Sequence, residues 1–208
     1  MENDAVRANW VKQGFVIVAG MAALLAMPVA AQRQSEGFTF LEAVRDRDGD
    51  KATQLLDQPG STIINARDIS TGETALHAVV QRRDLTWVRF LLQRGANPNI
   101  ADRNGVTPLQ QAAQLGFVDG VERLIQGGAQ VDVSDQTGET PLISAIHRRD
   151  TAMIEVLVAN GANPGRTDNS GRSARDYAQL LGENSAAVQA IARAEKSKGD
   201  SAKTYGPN

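Results

Sequence analysis

Four glycines, Gly72, Gly105, Gly138 and Gly171, follow one another at intervals of 33 residues, and the text around them repeats at the same interval. Behind them stand Thr74-Ala75-Leu76, Thr107-Pro108-Leu109, Thr140-Pro141-Leu142 and a weakened Ser173-Ala174-Arg175. Farther on, Leu91-Leu92 with Gly95-Ala96 returns as Leu124-Ile125 with Gly128-Ala129, and again as Leu157-Val158 with Gly161-Ala162. The phrase TGETALHAVVQRRD at 71–84 therefore comes back two units later as TGETPLISAIHRRD at 137–150. A fixed period of this length confines the chain to a stacked-repeat architecture in which each unit is one supersecondary element.

Each unit has a physical reading. Thr before Pro starts a helix: the hydroxyl caps free backbone N–H groups, and Pro at the first helical position has no N–H to leave unpaired. The apolar stretch that follows (Leu109, Ala112, Ala113; Leu142, Ala145, Ile146) is too short for a lone helix in water. Asp84 and Asp150 then read as caps of a second helix. Trp87, Val88, Leu91 and Leu92, or Met153, Ile154, Leu157 and Val158, share one face of it. Gly95, Gly128 and Gly161 end that helix, and the stretches Asp102–Gly105, Asp135–Gly138 and Asp168–Gly171 are turn chemistry. A unit is helix, turn, helix and hairpin-like loop. Alone it cannot bury its apolar face, but stacked it can.

These phrases resemble the ankyrin repeat, whose core is a hairpin glycine, Thr-Pro-Leu-His, and a second helix ending Gly-Ala. The resemblance runs over residues 36–196 and implies an all-α ankyrin-repeat solenoid. The best units are 69–101, 102–134 and 135–167, flanked by degenerate caps at 36–68 and 168–196. The first cap keeps Phe40, Ala43, Leu55 and Leu56 but holds three extra residues, since Ala43 to Val79 is 36. The last puts Arg175 where leucine is expected, and Ala186, Ala187 and Ala190 at inward positions. Polar and small residues suit outer faces that meet water. The tail 197–208 lacks apolar periodicity and is expected to be disordered.

The N-terminus is different material. Residues 1–34 carry Arg7 and Lys12, an apolar run from Phe15 to Met27, Pro28, and Val29-Ala30-Ala31 before Gln32. That order of basic, apolar and small-residue regions predicts a secretory signal peptide over 1–31, cut after Ala31. The alternative is an uncleaved anchor, since Phe15–Ala31 reaches the lower end of the membrane-spanning range. Either way the repeats are expected outside the cytosol, in the periplasm or secreted. The formal charge of −2 gives no general attraction to nucleic acid or anionic lipid. With no cysteine, disulfides, thiol catalysis and thiolate metal sites are excluded.

Residues with chemical potential have duller roles available. His77 fills the histidine slot of the repeat phrase, where the resemblance implies hydrogen bonds within and between repeats. His147 has no second histidine at ligand spacing. Asp46-Arg47-Asp48-Gly49-Asp50 with Asp57 mimics a calcium loop, but Lys51 stands where the turn glycine belongs. No nucleophile elbow or phosphate-binding loop occurs. The expectation is a monomeric protein with no enzymatic activity, catalytic residue, cofactor or metal.

What remains is surface. The resemblance implies that another protein is gripped by hairpin tips and by the exposed side of the first helices. The candidate partner-binding residues are Glu73, Arg82, Arg83, Arg103, Val106, Leu115, Glu139, His147, Arg148 and Arg149. Arg82-Arg83 and His147-Arg148-Arg149 occupy equivalent turns of alternate repeats, with glycine the family's usual residue where Arg83 and Arg149 sit. Stacking could line these cations into a ridge for a partner's carboxylates. Alternatively each pairs with its neighbour among Asp48, Asp84 and Asp150, in a solvated loop. Val106 and Leu115 read as exposed apolar spots between the two turns. Trp87 reads as a core residue packing into a hollow left by Gly120 in the next repeat.

Overall fold

The structure, a computed structural model, describes residues 29–204, with side-chain surroundings for 36–196. Among these residues it is all α-helical, as five helix pairs: α1 (Val29–Arg45) with α2 (Gly49–Leu56), α3 (Ala75–Gln81) with α4 (Leu85–Gln93), α5 (Pro108–Leu115) with α6 (Val118–Gln126), α7 (Pro141–His147) with α8 (Thr151–Ala159), and α9 (Ala174–Leu180) with α10 (Ala186–Thr204). The expected signal segment lies outside the described residues, except that α1 already begins at Val29. No described helix is long and apolar enough to cross a membrane. Helix α10 continues to Thr204, into the segment expected to be a disordered tail; residues 205–208 lie outside the description.

The helix starts follow the sequence. Thr107 and Thr140 accept from the backbone N–H of Gln110 and Ile143, each with Pro in the first turn. Asp48, Asp84 and Asp150 accept from Lys51, Trp87 and Met153 at the heads of the second helices. The middle unit departs from this rule: Phe117 stands at the cap position and makes no side-chain cap bond. Gly95, at φ 84°, turns the chain out of α4, and the Ala96 N–H then closes on the Leu91 carbonyl.

The pairs stack so that first helices form one layer and second helices the other. Between them lies one continuous core that includes Leu76, Val79, Leu91, Leu109, Leu124, Leu142, Ile146 and Leu157, all buried. The hairpins make a third line of contact. The N–H groups of Arg103, Gln136 and Asn169 donate to the carbonyls of Thr71, Asn104 and Thr137 in the preceding hairpin, at 2.9, 3.2 and 3.1 Å. Each hairpin is pinned internally by its aspartate; Asp102 Oδ1, for instance, accepts from the N–H groups of Asn104 and Val106. Among the described residues, strand pairing is limited to isolated bridges, Arg67 with Thr74 and Thr167 with Ser173.

The ends differ from the middle as caps should. Arg175, in the leucine slot, is exposed and pairs with Glu195 at 2.6 Å, while Ala187, Ala190, Ile191 and Ala194 of α10 pack against the stack. At the other end α2 stands off from α4, and a cleft of about 330 Å³ opens between them. Trp87 and Phe90 meet edge to face on its wall at 5.4 Å. Trp87 is therefore not the filler of the Gly120 hollow. Phe117 is: a Cβ on Gly120 would stand 2.2 Å from the Phe117 ring. The residue that displaced the aspartate cap is the one that occupies the hollow.

Candidate partner-binding surface

The floor of the candidate groove is the outward side of the first helices, and its residues recur in register. Ala78, Gln111, Ser144 and Tyr177 form one row and Gln81, Gln114, His147 and Leu180 the next, each 33 residues apart. Gln111 Nε2 donates to Gln81 Oε1 across two repeats at 2.9 Å. Two repeats on, the His147 and Tyr177 rings meet edge to face at 4.7 Å, and the Tyr177 hydroxyl donates to Asp168 Oδ2 at 2.7 Å. That bond, with the Ser170 hydroxyl, holds the Asp168 carboxyl well below the usual carboxylate range. Asp68 is held low in the same way, by the Ser70 hydroxyl and the Arg45 guanidinium. Glu139 accepts a short hydrogen bond from the Ser144 hydroxyl and lies 3.8 Å from His147 Nδ1.

The hairpin rim is locked. Arg103 donates to the Ile69 carbonyl of the preceding hairpin, so its head group is spent within the stack. Glu73 closes its hairpin through its backbone, its carbonyl accepting from the Asp68 N–H. Val106 also acts through its backbone: its carbonyl accepts from the Asp102 N–H and from His77 Nε2, both from a distance of 3.0 Å or less. Its side chain and that of Leu115 are half-buried rather than exposed, because Leu115 packs against the core and Val106 lies between adjoining hairpins. The exposed large apolar residues lie instead toward the two ends, Phe38 and Ile69 at one and Leu180 and Leu181 at the other.

His77 is a junction, not an acid or base at work. Its Nδ1 accepts from the Thr74 N–H at 3.0 Å, and Nε2 donates to the Val106 carbonyl of the next repeat at 3.0 Å. Burial lowers its pKa, so the neutral ring is the resident form. Gln110 holds the same slot one repeat later and donates to the Glu139 carbonyl at 2.7 Å.

The turn arginines divide into two groups. Arg82 is inward: Nη1 donates to the Val44 carbonyl at 2.7 Å, Nε lies 3.3 Å from Asp84 Oδ2, and the guanidinium sits over Trp87. Arg45 pairs with Asp68 at 2.7 Å and Arg47 stands 3.9 Å from Asp84. Arg83, Arg148 and Arg149 are exposed and have no carboxylate within 4 Å among the described residues. Pairing with a neighbouring aspartate therefore describes the first turns but not these three. Asp150, the expected neighbour, faces the helix it caps. Tyr177, Phe38 and Ile69 were missed in the sequence; Tyr177 was within reach, since the period alone sets it in the row of Gln111 and Ser144.

No group of three metal-ligating side chains occurs among the described residues. The Asp48 and Asp57 of the calcium-like stretch are engaged elsewhere, capping α2 and pairing with Arg94.

Two family models match, one described as ankyrin repeats in three copies over residues 40–135 and one as ankyrin repeats in many copies over 124–178. Among similar proteins, the oxysterol-binding protein homolog 1 of Saccharomyces cerevisiae is 36% identical over 34% of this chain and 6% of its own. The human 2-5A-dependent ribonuclease is 37% identical over 38% of this chain and 10% of its own, and an ankyrin repeat protein of Rickettsia bellii is 52% identical over 20% and 12%. The likeness thus covers a small fraction of each relative, and their enzymatic or lipid-related names describe those whole proteins. Ankyrin repeats are in general protein–protein interaction modules. With the 33-residue period, the Thr-Pro helix starts, the linked hairpins and both family models in agreement, the chain belongs to the ankyrin-repeat family.

Proposed function

We propose that this chain is an exported, non-enzymatic binding protein that holds a partner protein in the groove between its hairpin tips and first helices. Export rests on residues 1–31, whose basic, apolar and small-residue order is that of a leader. The observation that carries the binding reading is the locking of the surface. Hairpin is tied to hairpin by backbone bonds, and floor to floor by Gln81 with Gln111 and by His147 with Tyr177. A surface ordered before encounter loses little conformational entropy on binding. The unpaired cations at Arg83, Arg148 and Arg149 favour a narrower version of the same reading, a dedicated inhibitor or protective partner of one exported enzyme or toxin.

The test is capture from the native host. The full chain, with a C-terminal tag, is expressed with its own leader, cross-linked lightly and purified. The reading expects a mature protein starting at Gln32 and one stoichiometric protein partner, lost when Gln114 and His147 are both changed to Glu. Recovery of the same proteins by both forms would overturn it.

A further inference from the structure

Residues Arg47, Arg83, Arg149 and Gly116 hold the same position in their turns, and all four have left-handed backbone, at φ 60°, 55°, 56° and 68°. Glycine adopts that conformation freely, whereas a side chain there costs about 1–2 kcal/mol. Arginine thus stands three times at a position where glycine would be less strained. Arg47 is explained by its proximity to Asp84. Arg83 and Arg149 have no carboxylate to explain them.

The side chains converge. Arg83 reaches forward, Nη2 donating to the Leu115 carbonyl of the middle turn. Arg148 reaches back from the other side and lays its guanidinium across Gly116, where a Cβ would stand 2.7 Å from Nη2 and 3.3 Å from both Cζ and Nε. Two guanidinium groups from different repeats therefore reach the same turn, at Leu115 and Gly116, and Arg149 is the next residue of the chain after Arg148. Like charges gather here although the chain as a whole carries −2. Arg89 and Arg166 also lack a carboxylate partner, but each stands alone, on α4 and in a hairpin.

We infer that this cluster is the docking point for an acidic stretch of the partner protein, with one carboxylate received between Arg83 and Arg148 above Gly116 and another at Arg149. Guanidinium forks match carboxylates in charge and geometry. Adjacent repeats lie about 8–10 Å apart, so an extended segment of about three to six residues spans the cluster. A local cluster on a slightly acidic chain suits a short acidic segment better than a long polyanion. The inference rests on the binding reading and names the chemistry of its partner.

The experiment measures fluorescence anisotropy of a fluorescein-labelled octaglutamate on the full-length protein at low salt, with octaglutamine as the reference. One variant carries Arg83→Gly, Arg148→Gln and Arg149→Gly, which keeps the turns in a conformation glycine accepts. A second carries Arg89→Gln, Arg166→Gln and Arg193→Gln, the same change in charge away from the cluster. The expected result is octaglutamate binding weakened at least tenfold in the first variant and less than threefold in the second, with neither Tm more than about 3 °C below wild type. Equal weakening in both, no preference over octaglutamine, or full displacement by millimolar inorganic phosphate would overturn the inference. Should the first variant still capture the native partner, the acidic docking point falls while groove binding stands. Should no native partner exist while octaglutamate binds through the cluster, the binding reading falls instead.

Discussion

His77 and Val106 join two repeats through a single bond: the imidazole Nε2 lies 3.0 Å from the Val106 carbonyl oxygen, 29 residues ahead. Gln110 and Glu139 repeat the relationship one unit later at 2.7 Å. The two junctions are not equal, however. His77 Nδ1 also accepts from the Thr74 N–H, whereas Gln110 Oε1 is buried without a donor. An unpaired buried acceptor costs about 1–3 kcal/mol. Gln110→His is therefore expected to stabilise the protein by about 1 kcal/mol. His77→Gln is expected to cost about 1 kcal/mol, and His77→Ala about 2–3 kcal/mol through the cavity and two lost bonds. Urea unfolding of the three variants is the check.

The same histidine sets a pH response. Burial depresses its folded-state pKa, so below the ordinary imidazole value of about 6.5 the unfolded chain binds a proton that the folded chain does not. Stability is full above that value and falls as the pH drops from it toward the folded-state pKa. Wild-type Tm should decline between pH 7 and 5.5, and His77→Gln should flatten that decline. An equal decline in both proteins would locate the titrating group elsewhere. The low carboxyls of Asp68 and Asp168 act at more acid pH, where protonating them removes stability.

Gly120 and Phe117 form the second coupled pair. A methyl on Gly120 would collide with the Phe117 ring, so Gly120→Ala is expected to destabilise by about 1–3 kcal/mol. Phe117→Leu should absorb part of that cost in the double variant, while Trp87→Leu should add to it independently. A double-mutant cycle from denaturation curves separates the two cases.

Gly116 offers a test of the middle turn. Gly116→Ala faces the left-handed strain, about 1–2 kcal/mol, and also the Arg148 guanidinium. Because that head group is the exposed end of a flexible side chain, it swings away at small cost. The predicted loss of stability is therefore nearly unchanged when Arg148→Ala is added. A large rescue by Arg148→Ala would show the guanidinium to be fixed in place.

The period, the Thr-Pro starts and the aspartate caps are local chemistry, and so they were legible in the sequence. Asp84 and Asp150 needed only the N–H groups three residues on. Lateral relations were harder to read. The sequence pairs Trp87 with Gly120 because they share a slot, but the hollow is filled by the nearer Phe117 of the same unit. Val106 and Leu115 share slots with polar residues, Glu73 and Glu139 for the one and Arg82 and Arg148 for the other, yet both apolar side chains are half-buried. For the arginines, sequence gives the position of the charge but not the direction of a long, flexible side chain. Arg82 turns inward to Val44, while the adjacent Arg83 turns forward to Leu115.

The central claim is that the groove, rather than the opposite face, holds a partner protein. A photo-reactive benzoylphenylalanine placed at Gln114, on the exposed groove floor, tests it against the same group at Glu122, on the exposed side of α6. Irradiation in the native host is predicted to give one protein adduct from position 114 and none from 122. Adducts from position 122 alone, or the same adducts from both, would contradict the account.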